Sequence, residues 1–507
     1  MQYIKKLNEN YYIYAILVFV FLPLIFLPQL FDAKLIQHAY EIDNISGIDI
    51  FYRERSRYFH LPFFYFVNFL VKFTLIHADV FLDIITTIFL ILFCIEVKKY
   101  SKLFFGLENK WSNLAALFAA IFPVWHILVS FDISLYLISF FFALFGFRKF
   151  TKKNKISIIV GLIFIFISFG TLSSLTFVIG ITFVYFLLSK SNNIYNFPLS
   201  KVIVVIAISF FYFFLRKYYF PPSGLFENYN SVNLLMLKTN LTITKLTYNI
   251  INYSTYLLLF IWIAFLFVIH LIFKNLDHFS IKKLKLKDKY FYKYFKNYFL
   301  LIILSGFAIF PYLLSNKSSS ILYLSDYYQR HAFLLAPVFG LFFSLVFRDL
   351  SKINSLPNKI NLKYYLVIFI SINLFLLNYG SYRKIESHFF QKNLTQNLKS
   401  FGSIPVGNVE LIGKNMPADL RAHEVSYLFY KAYNIAGWWP VYNFDIKPNP
   451  RKLKDKYSNF YILKDYKYGC TTRIYLENGP NKYQRIKQFY IFKYNKYYSI
   501  DKIEKEC

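Results

Sequence analysis

Charged side chains beside long apolar runs are the residues best placed to do chemistry. Asp32 directly follows the apolar run Tyr11–Leu30. The next segment adds four basic residues: Arg53, Arg55, Arg57 and His60. A carboxylate at the boundary of water and lipid, beside such cations, suits a substrate with a lipid tail and a phosphate. The carboxylate would act as general base on an acceptor hydroxyl, and the arginines would hold the phosphate. The alternative is that Asp32 is only the solvated end of a helix and that the arginines form a charged patch facing the lipid headgroups.

A second acid and a later basic pair extend this set. Asp132 follows Pro123 in a tight connection, where it either opens onto the same side as Asp32 or caps the next helix. Arg330 and His331 stand before another apolar run, so Arg330 would either hold a lipid phosphate or only extend to the headgroups. Two further acids are candidates for substrate binding, with helix-surface charge as the alternative: Glu41 and Asp43.

The composition indicates that the elements carrying these residues lie in a membrane. Of the 507 residues, 57% are hydrophobic and 17% are charged, against roughly 45–50% and about 25% in soluble domains. This excludes a disordered chain, a coiled coil or a nucleic-acid-binding domain as the whole protein, although Lys and Arg outnumber Asp and Glu by 58 to 27. The three cysteines supply neither a zinc site nor a disulfide framework, and a Cys470–Cys507 pair stays open.

The distribution of positive charge predicts how the chain crosses the membrane. About twelve apolar runs are candidate spans, and loops rich in Lys and Arg collect on the cytoplasmic side. If Phe59–Ile76 dips into the outer leaflet without crossing, four basic loops become cytoplasmic together: Lys98–Lys110, Arg148–Lys155, Lys274–Lys296 and Arg348–Lys363. The sequence therefore predicts about eleven crossings, a cytoplasmic amino terminus and an exterior carboxyl terminus.

The chain is expected to form two domains. Residues 1–380 are predicted to be an all-α polytopic membrane domain, whose first exterior loop, residues 31–79, holds helices that lie along the membrane. Residues 381–507 are predicted to be a small exterior α/β domain, since this segment has Pro, Gly and Trp punctuation and strand-like runs. Those runs are Phe460–Leu463, Thr472–Leu476 and Phe489–Phe492.

Five segments in a fixed order resemble the GT-C superfamily, the membrane glycosyltransferases that use polyprenyl-phosphate-linked sugars. The likeness is to the bacterial mannosyltransferase-like and aminoarabinose-transferase-like branch. The segments are Phe31-Asp32, His60-Leu-Pro62-Phe-Phe-Tyr65, the basic turn Lys98–Gly106, Ala115–Pro123 and Tyr328–Pro337. They cover the amino-terminal part of the chain and one late span. The resemblance implies a GT-C-like fold and catalysis on the exterior face of a bacterial plasma membrane.

The resemblance also implies roles for the candidate residues. Asp32 would deprotonate the acceptor hydroxyl, and the resulting oxygen would attack the anomeric carbon and displace polyprenyl phosphate with inversion. Asp132 would orient the acceptor or help to bind a divalent cation, and the need for a metal stays open. Arg330 and the Arg53–Arg57 cluster would bind the leaving phosphate. The implied partners are a polyprenyl-phosphate-linked sugar donor, the bilayer and an envelope glycan, lipid or protein acceptor, with no nucleic acid.

Three other functions compete with this interpretation. A flippase or other transporter for lipid-linked glycans would place ionisable residues near the bilayer midplane and show repeats, whereas these acids lie at one face and no repeat is visible. A membrane glycan polymerase would have its main exterior loop between late spans. A non-catalytic assembly protein is favoured by one departure from the family pattern, because Asp32 is followed by Ala33 and not by a glutamate.

Overall fold

The fold is taken from a computed structural model of the chain. The structure describes residues 14–18, 20–21, 36–37, 39–40, 45–74, 76–192, 197–223, 288–314, 332–351, 359–402, 408–413, 422–433, 458–462, 471–477, 484 and 499–506. Most of these residues are helical, as the composition predicts.

The amino-terminal helices are α1 (Ile45–Glu54), α2 (Leu61–Thr74), α3 (Ala78–Phe105), α4 (Asn109–Ala120), α5 (Phe131–Phe150), α6 (Lys155–Ser168), α7 (Leu172–Asn192) and α8 (Leu199–Tyr218). Short 3-10 helices, Tyr58–His60 and Pro123–Val129, precede α2 and α5. The later elements are α9 (Asp288–Leu314), α10 (Leu335–Ser351), α11 (Lys359–Phe401), β1 (Asn408–Gly413), α12 (Ala422–Tyr433), β2 (Ser458–Ile462), β3 (Thr471–Leu476) and β4 (Ile500–Glu506).

Four helices within these ranges are long and apolar enough to cross a membrane: α3, α5, α7 and α8. They indicate a membrane protein. The figure of about eleven crossings stays a prediction, because Thr255–Phe273 and most of Tyr11–Leu30 lie outside the described residues. Helix α2 has 14 residues. At about 1.5 Å per residue it is roughly 21 Å long, which is shorter than the ~30 Å hydrocarbon core of a bilayer.

The helices α5 to α8 run alternately between two ends of the molecule. At the first end, which we call the site end, the turn Ser56–His60 meets the start of α5 and the ends of α6 and α8. Ser56 Oγ donates a hydrogen bond to the backbone oxygen of Phe220, 2.5 Å away, and an added Cβ on Gly170 would lie 3.1 Å from Phe59 Cβ. At the opposite end, which we call the basic end, Lys201 Nζ donates to the carbonyl oxygen of Phe150 at 2.7 Å.

Glycines allow two pairs of helices to touch backbone to backbone. A Cβ on Gly161 of α6 would lie 2.5 Å from the backbone nitrogen of Phe150 and 2.7 Å from the carbonyl oxygen of Gly146, both on α5. On α10, a Cβ at Gly340 would collide with the carbonyl oxygen of Ala115 on α4. Such close approach increases dispersion contacts and is typical of helix packing in lipid, where the hydrophobic effect between helices is weak.

The carboxyl-terminal segment is an α/β arrangement that continues from one long helix. Helix α11 has 43 residues and runs through residue 380, so the predicted domain boundary falls inside it. The sheet has the order β2-β1-β3-β4, with β1 parallel to β3 and the other pairs antiparallel. The predicted runs Phe460–Leu463 and Thr472–Leu476 overlap β2 and β3, and Phe489–Phe492 lies outside the described residues.

The contact between α5 and α6 makes a prediction about stability. We expect Gly161→Ala to lower the free energy of unfolding by about 1–3 kcal/mol, because its methyl group would meet backbone atoms that cannot move aside. Gly306→Ala is the matched control, since a Cβ there has no atom within 4 Å and alanine favours the helix. Thermal unfolding in detergent measures both variants. Equal midpoints for the two would contradict the packing argument.

Candidate active site

The turn after α1 carries two of the candidate residues into the protein. Helix α1 ends where Ser56 adopts a left-handed backbone conformation, with φ of 58°. The amides of Ser56 and Arg57 bond back to the carbonyl oxygens of Arg53 and Tyr52, at 2.8 and 2.9 Å. Arg57 and His60, which follow this closed turn, are both buried.

Arg57 is fixed against helix α5. Its Nη2 donates to the hydroxyl oxygen of Tyr136 at 2.5 Å, and its Cζ lies 5.0 Å from the centre of that ring. Arg57 is only 8% exposed. A guanidinium is always charged, and burying it is costly unless its donors are satisfied. The hydroxyl and the aromatic face together offset part of that cost.

Asp132 lies one turn before Tyr136 on the same helix. It is 2% exposed and accepts a hydrogen bond from the Ser130 hydroxyl. Ser130 occupies the N-cap of α5, so Asp132 is in the first turn and is not the capping residue. The positive end of the helix dipole favours a carboxylate there. Trp125, in the 3-10 helix that precedes α5, is buried as well. Its Nε1 donates a hydrogen bond to the carbonyl oxygen of Ala119 at 2.6 Å.

His60 contacts the next turn of the same helix face. Its Nε2 lies 3.4 Å from Ser139 Oγ, and it is 3% exposed. Among the atoms that the structure describes, none hydrogen-bonds its Nδ1. Burial, and then the charge of Arg57, lower the pKa of His60 well below its ordinary value. The imidazole is therefore neutral at pH 7.

The other two arginines of the predicted cluster contact side chains of α1. Arg53 Nε forms an ion pair with Asp49 at 2.5 Å, and its side chain is largely exposed. This hydrogen bond lowers the pKa of Asp49. Arg55 stacks on the Phe51 ring, with its Cζ 3.7 Å from the ring centre. The structure thus brings Arg57 and His60 to the helix of Asp132, whereas Arg53 and Arg55 contact residues of α1.

Five predicted site residues lie outside the described residues: Asp32, Glu41, Asp43, Arg330 and His331. Ile36 and Ala39, which lie between Asp32 and Glu41 in the sequence, are buried in one cluster with Tyr52, Phe64 and Phe131. Phe131 precedes Asp132, so part of the first polar segment packs beside the start of α5. Tyr40 reinforces this packing, because its hydroxyl donates to the carbonyl oxygen of Phe64 at 2.8 Å.

Sequence reasoning missed Tyr136 and Ser139. Their spacing from Asp132 is four and seven residues, which places all three on one face of α5. This periodicity was the available signal, but tyrosine and serine are ordinary residues in an apolar helix. Within the described ranges, no group of three or more His, Cys, Asp and Glu residues is arranged to hold a metal ion.

A buried ion pair at the basic end was also missed. Glu96 of α3 is 2% exposed and receives two hydrogen bonds from Arg148 of α5, at 2.6 and 2.9 Å, and one from Lys99 at 2.8 Å. Arg148 is 16 residues after Asp132, which is about 24 Å along the helix. Because this bidentate pair joins α3 to α5 and fully engages the carboxylate, we assign it to packing and not to the site.

The buried imidazole predicts a pH dependence of stability. As the pH falls below about 6.5, the unfolded chain takes up a proton on His60 that the folded chain does not, so the free energy of unfolding falls. The expected loss from this residue is about 2 kcal/mol between pH 7 and pH 5. Thermal unfolding of wild type and His60→Gln across this range isolates the contribution, since other groups titrate in both. Identical pH profiles would show that His60 is accessible to protons when folded.

Comparison with known proteins identifies no relative of this chain. The chain matches no protein-family model, no curated protein and no solved structure. The geometry consists of a buried arginine and a buried, neutral histidine that contact helix α5, and a buried carboxylate in the first turn of that helix.

Proposed function

We propose that the protein is an integral-membrane inverting glycosyltransferase that moves a sugar from a polyprenyl-phosphate carrier to a glycan, lipid or protein acceptor of the cell envelope. One observation carries this proposal. The guanidinium of Arg57 is buried against Tyr136, a residue that lies one helical turn after the buried Asp132 on α5. A cation and an acid at this spacing suit a reaction in which a phosphate leaves and a hydroxyl loses its proton.

The reaction balances with these groups. Asp32 accepts the proton of the acceptor hydroxyl, and Asp132 orients that hydroxyl. The oxygen forms a bond to the anomeric carbon while the bond from that carbon to the phosphate oxygen breaks. The electron pair of the broken bond stays on the phosphate, whose charge Arg57 stabilises. Inversion follows because attack and departure take place on opposite faces of the sugar.

Burial makes Arg57 effective in this role. In a site from which water is excluded, a fixed cation acts on a developing charge more strongly than it does in water, and it needs no reorganisation. The ring and the hydroxyl of Tyr136 hold the guanidinium in place. His60 is neutral, so it accepts or donates a hydrogen bond without adding charge.

The proposal includes an orientation in the membrane. The helices α5 to α8 alternate between the site end and the basic end, and positive loops favour the cytoplasm. The site end then faces the exterior, the amino terminus is cytoplasmic and the carboxyl-terminal domain is exterior. A carrier with its tail in the bilayer would present its phosphate to Arg57 at the boundary of the membrane.

Sugar transfer by membranes that contain the protein tests the proposal. With a pool of radiolabelled polyprenyl-phosphate sugars, we expect wild type to move label off the lipid. Asp32→Asn should lose about 100- to 10,000-fold in rate, because asparagine keeps the size and removes the base. Arg57→Lys should lose about 10- to 100-fold, since lysine keeps the charge but not the planar donor pair.

Two matched variants control for loss of activity through misfolding. Asp49→Asn and Arg53→Lys make the same chemical changes in the ion pair of α1 and should transfer sugar as wild type does. Asp132→Asn should lower the rate with unchanged thermal stability. Well-folded wild type that is inert with every donor would overturn the proposal and favour the transporter or assembly function. Full activity of Arg57→Lys and Asp132→Asn would place the site elsewhere.

A further inference from the structure

The basic end carries exposed lysines from several elements. They come from the turn after α5, the start of α6 and the end of α7: Lys152, Lys153, Lys155 and Lys190. Lys201 at the start of α8 ties these elements together, because its Nζ also donates to the carbonyl oxygen of Lys152 at 3.0 Å. The lysines therefore belong to one surface that is built from the ends of consecutive apolar helices.

The carboxylates near this surface are largely engaged by other groups. Glu96 is bound by Arg148 and Lys99. Asp349 accepts hydrogen bonds from Arg348 and from the hydroxyl of Tyr298, at 2.6 and 2.9 Å. Glu108 is exposed. The surface thus keeps an excess of positive charge that faces outward.

An exposed apolar stripe begins next to these lysines. On α6, directly after Lys155, the exposed residues are Ile156, Ile159 and Ile163, at 71, 58 and 52%. Their spacing of three and four residues puts them on one face. From Lys155 to Ile163 the helix rises about 12 Å, close to the ~15 Å half-thickness of the hydrocarbon core.

Helix α8 repeats the arrangement beside it. Lys201 lies between two exposed apolar residues, Leu199 and Ile203. The exposed face continues through Ile206 and Phe210 toward the site end. A run of exposed apolar side chains of this kind marks a surface that lipid or another protein covers.

We propose that the basic end is a binding surface for anionic phospholipids. The lysine ammonium groups contact the phosphate headgroups, and the stripes on α6 and α8 contact the acyl chains below them. A cluster of lysines at the cytoplasmic ends of spanning helices attracts anionic lipid through charge, and here the apolar stripes add contact with the tails. An acidic protein would match the lysines but would leave the isoleucine stripe uncovered, so the lipid fits the whole surface.

Spin-labelled lipids measure the proposed binding. The full chain is reconstituted in phosphatidylcholine vesicles with a trace of spin-labelled phosphatidylglycerol or phosphatidylcholine, and the immobilised fraction gives the relative association constant. We expect wild type to prefer phosphatidylglycerol by about fivefold or more, because each lysine near the surface contributes a comparable factor. The double variant Lys153→Gln and Lys155→Gln should lose most of that preference.

A double variant at the site end is the matched control. Lys72→Gln with Lys217→Gln removes the same charge far from the basic end and should keep the preference for phosphatidylglycerol. Salt supplies a test that needs no variant: raising it from 0.05 to 0.5 M shortens the screening length and should reduce the preference of wild type. Equal association constants for the two lipids in wild type at low salt would overturn the proposal. Equal losses in the two double variants would overturn it too.

Discussion

The burial of a charged guanidinium against helix α5 is the interaction on which the arrangement of the site end depends. Removing an arginine from water costs several kcal/mol, and a hydrogen bond to Tyr136 with its ring nearby offsets part of that cost. The surrounding structure holds the guanidinium in this position. The closed turn at Ser56, whose hydroxyl bonds to Phe220, and the cluster that packs α1 and α2 on the start of α5 fix the segment that carries Arg57.

The two ends of the helices differ in how they treat charge. At the site end, the ionisable residues Arg57, His60 and Asp132 are buried, where a low dielectric strengthens their effect on one another and on a ligand. At the basic end, the buried pair Glu96–Arg148 is saturated with hydrogen bonds, and the lysines around it face outward. About 24 Å of helix separates them. The first pattern favours selective chemistry on one substrate, whereas the second favours contact with a surface.

The sequence predicted residue types better than it predicted partners. Asp132, Arg57 and His60 stood out because charge beside an apolar run is costly. Arg53 and Arg55 were grouped with Arg57 by spacing alone. Arg57 is buried after the left-handed turn at Ser56, and no sequence pattern predicts that turn. The hydropathy of the sequence was sufficient to predict the helical content. It was not sufficient to predict that α11 continues through residue 380, because a fall in hydropathy marks the edge of the membrane and not the end of a helix.

Helix α11 also constrains the start of α5 from a distance. A Cβ on Gly380 would collide with the ring of His126, so the backbone of α11 lies directly against the 3-10 helix Pro123–Val129. His126 Nδ1 in turn lies 2.7 Å from the carbonyl oxygen of Pro123, which fixes the ring on its own segment. That segment leads into Ser130 and the first turn of α5. Since α11 is continuous as far as Phe401, its placement and the placement of Asp132 are coupled through this packing.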